Sequence, residues 1–292
     1  MPEGDTLHRT AAGLRPFLVG RPVLAVRARQ PGPAVGVLVG TTVTAVEAVG
    51  KNLLVRFDDG RTLRTHLRMR GAWHRYRPGE AWRRPPWRAN LVLEVPGSVA
   101  VCFDAPTVEL FETRAEGVHP GLAGLGPDLL APGLDTAAAA ARFRAPALAD
   151  RPIAEALLDQ RIVAGIGNVY KSEVLFVARL DPFAAVGLLP EPTLRELVET
   201  ARRLLVANAR PDGSVRRRTT DGPAGVLAAE GTTRAGGSLW VYRRAGRPCR
   251  RCGTAIAARS HGQPPRRTYW CPRCQAAEPR PSPVDGTIDA PR

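Results

Sequence analysis

Pro2, Glu3, Lys51 and two pairs of cysteines are the residues of this chain whose types and positions could do chemistry. A proline behind Met1 is small enough to permit removal of the methionine, which would leave a secondary amine as the terminus. An α-amino group titrates near about 7.7–8.0, more than two units below lysine, so a useful fraction is unprotonated and nucleophilic at neutral pH. Its attack on an aldehydic carbon gives an iminium ion, whose fixed charge acidifies the neighbouring carbon. Elimination of a phosphate then follows readily. Many chains begin Met-Pro without any such chemistry, so this reading depends on the residues around it.

Cys249, Cys252, Cys271 and Cys274 are spaced C-x2-C-x18-C-x2-C. Two tight turns at that spacing present two pairs of thiolates to one tetrahedral ion, and Zn2+ is the expected metal. A closed four-sulfur shell leaves no position for water, which makes the ion structural. The interval between the knuckles suits a short hairpin, and it is rich in arginine, with Arg250, Arg251, Arg259, Arg266 and Arg267. Cys102 stands alone among strand hydrophobes and reads as core.

The net charge of +15 makes polyanions the first partners to consider, and nucleic acid the commonest of them. No run of about 18 apolar residues appears and the start lacks a signal segment, so a soluble, cytosolic protein is expected, not a membrane one. Only two of the 42 basic residues are lysines, Lys51 and Lys171. Arginine presents a wide planar fork and lysine a compact point charge, so position 51 could require the latter.

These groups must be positioned by recognisable elements. Leu7, Ala11, Leu14 and Leu18 recur at helical spacing after Asp5 and Thr6, which can cap, so a helix is expected almost at the terminus, its positive end towards Pro2. From Val23 to Phe103 the period is two, with alternation at Leu53/Val55/Phe57, Leu63/Leu67/Met69, Leu91/Leu93/Val95 and Val99/Val101/Phe103. Asp59-Gly60 and Pro96-Gly97 supply turns, which predicts an antiparallel sandwich or barrel. The other face of the second of these strands carries Arg64, His66, Arg68 and Arg70, either a solvated face or a phosphate track. Residues 71–90, with Trp73, Tyr76, Trp82 and Trp87 among arginines, read as an extended loop whose aromatics either stack on bases or, more commonly, pack on their own sheet. After about residue 120 helices are expected at 137–143, 153–160, 169–178 and 193–208, followed by a polar linker over 210–237 and a Pro-rich disordered tail.

The motifs MPEGD, GKNLLVRF, THLRMRGAW, LGPDLL, DQRIVAGIGNVYKSEVLF and RRTYWCPRCQ follow one another in an order that resembles the formamidopyrimidine-DNA glycosylase and endonuclease VIII family, from the first residue to about Gln275. The resemblance implies an α+β multidomain fold: a catalytic antiparallel β-sandwich with its amino-terminal helix over 1–122, a helix-two-turns-helix DNA-binding domain and linker over 123–237, a four-cysteine zinc finger over 238–276, and the tail over 277–292. It implies a DNA glycosylase and AP lyase of base excision repair, with Pro2 as nucleophile and Glu3 as the proton-transferring carboxylate. Lys51 would contact the reacting sugar or its phosphate, and Arg266, with Arg267 as the neighbouring alternative, would be the finger arginine that grips phosphates. Asn168 would bind DNA at the turn made by Gly165, Ile166 and Gly167. Arg68, Met69 and Arg70 would fill the gap left by an extruded nucleotide, Met69 as the wedge, and Glu173 would help to hold that nucleotide.

The start MPEGDT is closer to the endonuclease VIII branch, so oxidised pyrimidines are the expected bases, with strand cleavage by β-elimination and a further δ-elimination left open. Oxidised purines treated by the same chemistry, and a non-catalytic zinc-finger DNA-binding protein, are the alternatives. The expected partner is damaged duplex DNA, with single-stranded and bubble DNA left open. A monomer in the cytoplasm, associated with the nucleoid, completes the expectation.

Overall fold

The computed structural model describes residues 2–209, 217–220 and 239–276. Most of the 210–237 linker and the tail from 277 lie outside the described residues.

The chain opens on helix α1 (Gly4–Leu18), which buries Leu7, Ala11, Leu14 and Leu18 against the sheets that follow. Glu3 occupies its N-cap position without a side-chain cap, so Asp5 and Thr6 lie inside the first turn and not before it. Strands β1 (Ala25–Ala28), β2 (Val43–Val49), β3 (Asn52–Phe57), β4 (Arg61–His66), β5 (Ala72–Tyr76), β6 (Ala89–Val95), β7 (Ser98–Phe103) and β8 (Thr107–Glu112) form two four-stranded antiparallel sheets. Their orders are β1-β6-β7-β5 and β2-β3-β4-β8. Alternate residues of both sheets meet in one core with α1, including Val46, Leu53, Val55, Leu63, Leu91, Leu93 and Cys102. Burying each large aliphatic side chain there contributes about 1.5–3 kcal/mol.

The turns at Asp59-Gly60 and Pro96-Gly97 join β3 to β4 and β6 to β7 as expected. Three expectations are corrected. The second alternating run stops at His66, because Leu67 to Gly71 form a tight turn in which the Gly71 amide donates to the Leu67 carbonyl at 2.8 Å. A Cβ at 71 would stand 2.5 Å from that carbonyl, so only glycine closes this turn. Residues 71–90 are not one loop, since β5 runs through them, with Trp73 and Tyr76 buried and Trp82 stacked on Tyr76. Arg64 is no phosphate contact: it is buried, donating to Asn52 at 2.9 Å and to Glu109.

The second core is helical. Helices α2 (Thr136–Ala141), α3 (Ile153–Ala156), α4 (Asn168–Val177) and α5 (Glu191–Asn208) enclose Leu157, Ile166, Tyr170, Val174 and Leu175. The stripe Leu194, Leu197, Val198, Ala201, Leu204 and Leu205 is buried in full along α5. The segment expected as a helix over 153–160 is helical only to Ala156; turns carry the chain on to Gly167. The third unit is a hairpin of β9 (Ala257–His261) and β10 (Arg266–Trp270) beside the cysteines.

Candidate active site

Glu3 is the point at which the sandwich and the helical domain meet. Its side chain is fully buried and accepts hydrogen bonds from the amides of Gly167 at 2.9 Å, Val169 at 2.8 Å and Tyr170 at 3.2 Å. These are the open donors at the start of α4, so a carboxylate from another domain caps that helix. The approach is close on both sides. The Gly4 amide donates to the Gly165 carbonyl at 2.9 Å, and Gly165 takes φ +106° to make the turn. Pro2, half-buried and next to Glu3, is thereby held at the junction.

Lys51 reaches the same place from the tip of a two-residue hairpin between β2 and β3, whose first turn residue, Gly50, has φ +59°. The Gly50 amide donates at 2.8 Å to Asp128, which also meets His8 of α1 at 3.1 Å. Asp128 therefore fixes the lysine-bearing turn against both α1 and the helical domain. Burial pushes the Lys51 ammonium down to about 8; Glu3 opposes that fall and Arg266 adds to it.

Lys171, the chain's other lysine, was not singled out for a role from the sequence, yet it belongs to this cluster. It is fully buried, and burial lowers its pKa to about 7, again opposed by Glu3 and assisted by Arg266. Both lysines thus sense the same two charges. The scarcity of lysine was the available signal, since a chain that uses arginine elsewhere has kept two compact ammonium groups at one site.

The hairpin register separates Arg266 from Arg267. Residues 266, 268 and 270 share one face of β10, and Thr268 on that face touches Lys171 at 2.6 Å. Arg267 lies on the other face, over the Tyr269 ring at 5.7 Å, while its carbonyl accepts from Asn168 Nδ2 at 2.9 Å. Asn168 begins α4, with Gly167 as the N-cap, and spends one amide N–H on the finger.

Arg68, Met69 and Arg70 protrude from the 67–71 turn, with Met69 57% exposed and Arg68 at φ 49°. Met69 is therefore not core; the alternation that suggested it ends before the turn. Beside it His66 is pushed down to about 4 by burial and by the charges of Arg68, Arg64 and Lys51.

Glu173 does not join the site, which corrects the expectation that it touches a nucleotide. It is fully buried, and its carboxylate accepts from the amides of Trp240 at 2.7 Å, Val241 at 2.9 Å and Tyr242 at 2.8 Å, and from the Thr219 hydroxyl. It braces the turn segment leading into the finger. Asp5 is likewise structural: buried, it receives Arg217 through Nε at 2.8 Å and Nη2 at 2.5 Å.

The four Sγ atoms of Cys249, Cys252, Cys271 and Cys274 lie within 4.8 Å of one another, with no disulfide between them. Tetrahedral metal–sulfur bonds of about 2.3 Å require sulfurs about 3.8 Å apart. The 3.9 Å between Cys249 and Cys274 and 3.4 Å between Cys252 and Cys271 fit such an ion. Amides of Arg251 and Cys274 point at the sulfurs of Cys249 and Cys271, both at 3.4 Å, as outer partners for thiolates.

Residues 1–107 match the formamidopyrimidine-DNA glycosylase N-terminal domain, and residues 125–219 match the formamidopyrimidine-DNA glycosylase H2TH domain. Among curated proteins the chain is 40% identical over 295 residues to a probable endonuclease 8 2 of Streptomyces coelicolor, covering 100% of both chains. It is 41% identical over 277 residues to the DNA-(apurinic or apyrimidinic site) lyase Nei2 of Mycolicibacterium smegmatis, covering 95% of this chain and 100% of the relative. Its fold is similar to that of Lactococcus lactis Fpg in complex with DNA containing N7-benzyl-Fapy-dG. The TM-score is 0.76 at 24% identity, over 94% of this chain and 100% of that one. Two matching domains in order, and relatives aligned from end to end, make one conclusion: this chain belongs to the formamidopyrimidine-DNA glycosylase family.

Proposed function

We propose that this protein removes oxidised pyrimidines from duplex DNA and cuts the strand at the resulting site through an iminium intermediate on Pro2. The class of activity, a bifunctional DNA glycosylase and AP lyase of base excision repair, follows from the family and the endonuclease 8 relatives. The observation that carries the residue assignment is the burial of Glu3, next in sequence to Pro2, under the first amides of α4, with Lys51 near enough to feel the charges of Glu3 and Arg266.

Once Met1 is removed, the Pro2 nitrogen attacks C1′ of the damaged nucleotide and displaces the base, and Glu3 supplies the proton that opens the sugar ring. The resulting iminium draws electrons from C2′; loss of a C2′ proton expels the 3′ phosphate, which is β-elimination. Lys51, held as an ammonium below about pH 8, donates to the sugar oxygen or offsets charge on the leaving phosphate. Arg266, exposed at the hairpin tip, grips the phosphates flanking the lesion, and Asn168 offers its second amide N–H to the backbone. The cysteine cluster holds one Zn2+, whose contribution is to fix the finger. Identities of 40–42% to endonuclease 8 relatives, against 33–34% to formamidopyrimidine-DNA glycosylase relatives, support the pyrimidine branch.

Borohydride trapping on a duplex with one abasic site tests the assignment. Wild type should form a covalent adduct, and Pro2→Gly with Glu3→Gln, which keeps only a primary terminal amine, should form far less of it. An undiminished adduct from the double variant would overturn the roles given to both residues. Duplexes each carrying one oxidised base then separate pyrimidine from purine preference.

A further inference from the structure

Lys171 is an expensive residue where it stands. An ammonium withdrawn from water costs several kcal/mol unless it is paired, and a methionine would fill the same volume without that cost. Its partners lie on the finger: Nζ donates to Thr268 Oγ1 at 2.6 Å and approaches the Arg267 carbonyl at 3.4 Å. The same carbonyl receives Asn168, so the first turn of α4 grips two successive residues of β10.

The contact continues. Thr268, itself fully buried, lies 2.5 Å from His261 Nε2, and His261 Nδ1 lies 3.1 Å from Glu155 Oε1 on α3. An ammonium can only donate, so Thr268 Oγ1 accepts from Lys171, and a carboxylate can only accept, so His261 Nδ1 carries the ring proton and donates to Glu155. In that neutral tautomer, assigned from the network, His261 Nε2 is the acceptor of the Thr268 hydroxyl proton. Phe183 holds the imidazole edge-on with centroids 5.1 Å apart. One directional chain therefore ties both strands of the hairpin to two helices of the helical domain.

Arg266 shares the face of β10 that carries Thr268, two residues away. Any rotation of the strand about its axis would swing that guanidinium away from Lys51 and Glu3. We propose that Lys171 is a positioning residue for Arg266, acting through the chain Lys171–Thr268–His261–Glu155, which sets the rotation of the finger hairpin against the Glu3 site. Lys171 touches no DNA. This role rests on the reading of Arg266 as a phosphate contact.

A double-variant cycle on the full-length, zinc-loaded protein tests it, with an abasic-site duplex as probe. The constants to measure are binding at several salt concentrations and single-turnover cleavage. Lys171→Met and Thr268→Val should each weaken binding and slow cleavage about tenfold. Each should also lower the slope of log affinity against log salt by about one, the change expected of Arg266→Ala. In the Arg266→Ala background, Lys171→Met should add less than about twofold. Full tenfold effects in both backgrounds, or an unchanged salt slope, would mean that Lys171 supports only local packing. If Lys171→Met does not fold, judged by near-ultraviolet circular dichroism, Thr268→Val and His261→Gln complete the same cycle. A wild type that gives no borohydride adduct would instead overturn the proposed activity, while the salt slopes still decide the positioning role.

Discussion

Glu3 and Gly167 fit together so closely that no side chain fits at 167: the Gly167 amide donates to Glu3 Oε2 at 2.9 Å, and a Cβ at 167 would lie 2.4 Å from Glu3 Cδ. The contact spans 164 residues of sequence and joins two domains. It places the carboxylate in the positive end of α4, where three backbone amides donate to it.

Gly167→Ala should therefore act on chemistry as well as on stability. We expect a loss of about 1–3 kcal/mol in thermal unfolding and at least about a 100-fold fall in single-turnover cleavage, because Glu3 must leave its cap. A variant that cleaves at the wild-type rate would show that Glu3 needs no fixed position.

The alkaline limb of the rate should belong to Lys51. Its ammonium is the form that donates, its pKa is lowered to about 8, and so activity should fall as pH rises through that value. Lys51→Arg, whose guanidinium stays charged, should lower the maximum rate but carry the falling limb beyond about pH 10. An unmoved limb would assign it to another group.

Depressed lysines also leave a mark on folding. Below about pH 7 both Lys171 states are protonated; between about 7 and 10.5 the unfolded chain binds a proton that the native one has released. Stability from this group consequently increases with pH across that window. Lys171→Met should flatten the rise in Tm between pH 7 and 9 relative to wild type, as scanning calorimetry would reveal.

Glu173 should behave as a brace. Removing its carboxylate strands three amides, that of Val241 buried and those of Trp240 and Tyr242 half-buried, so Glu173→Ala is expected to cost about 3 kcal/mol and to speed metal loss to a chromogenic chelator. Unchanged Tm and metal retention with lost lesion cleavage would return Glu173 to the nucleotide.

Met69→Ala should slow base removal from a duplex about tenfold and leave a single-stranded substrate untouched, because only the duplex has a gap to fill. Equal losses on both substrates would argue against a wedge.

The finger should fail separately from the sandwich. Cys271→Ser should lose the metal and weaken duplex binding about tenfold or more, with the first core still folded by amide exchange, since that core contains no finger residue. Normal cleavage at ordinary protein concentration would contradict the finger's contribution.

Much of this was legible in the sequence because it is local. Period-two runs, turn glycines and the α5 stripe depend on neighbours in the chain, and cysteine spacing alone defined the metal cluster. Motif order carried the family, and with it Pro2, Glu3 and Lys51. What only the tertiary structure decided lies in contacts between distant segments. Arg64 and Glu173 are charged residues whose sequence surroundings do not tell a DNA contact from a buried partner; Asn52 with Glu109, and the 240–242 amides, settle that. Met69 continued an alternating pattern until Gly71 closed a turn that ended the strand. Arg266 and Arg267 differ only by one step of β-register, which Thr268 against Lys171 fixes. A sequence states which groups are present, but burial, pairing and the face on which a side chain emerges depend on what packs against it.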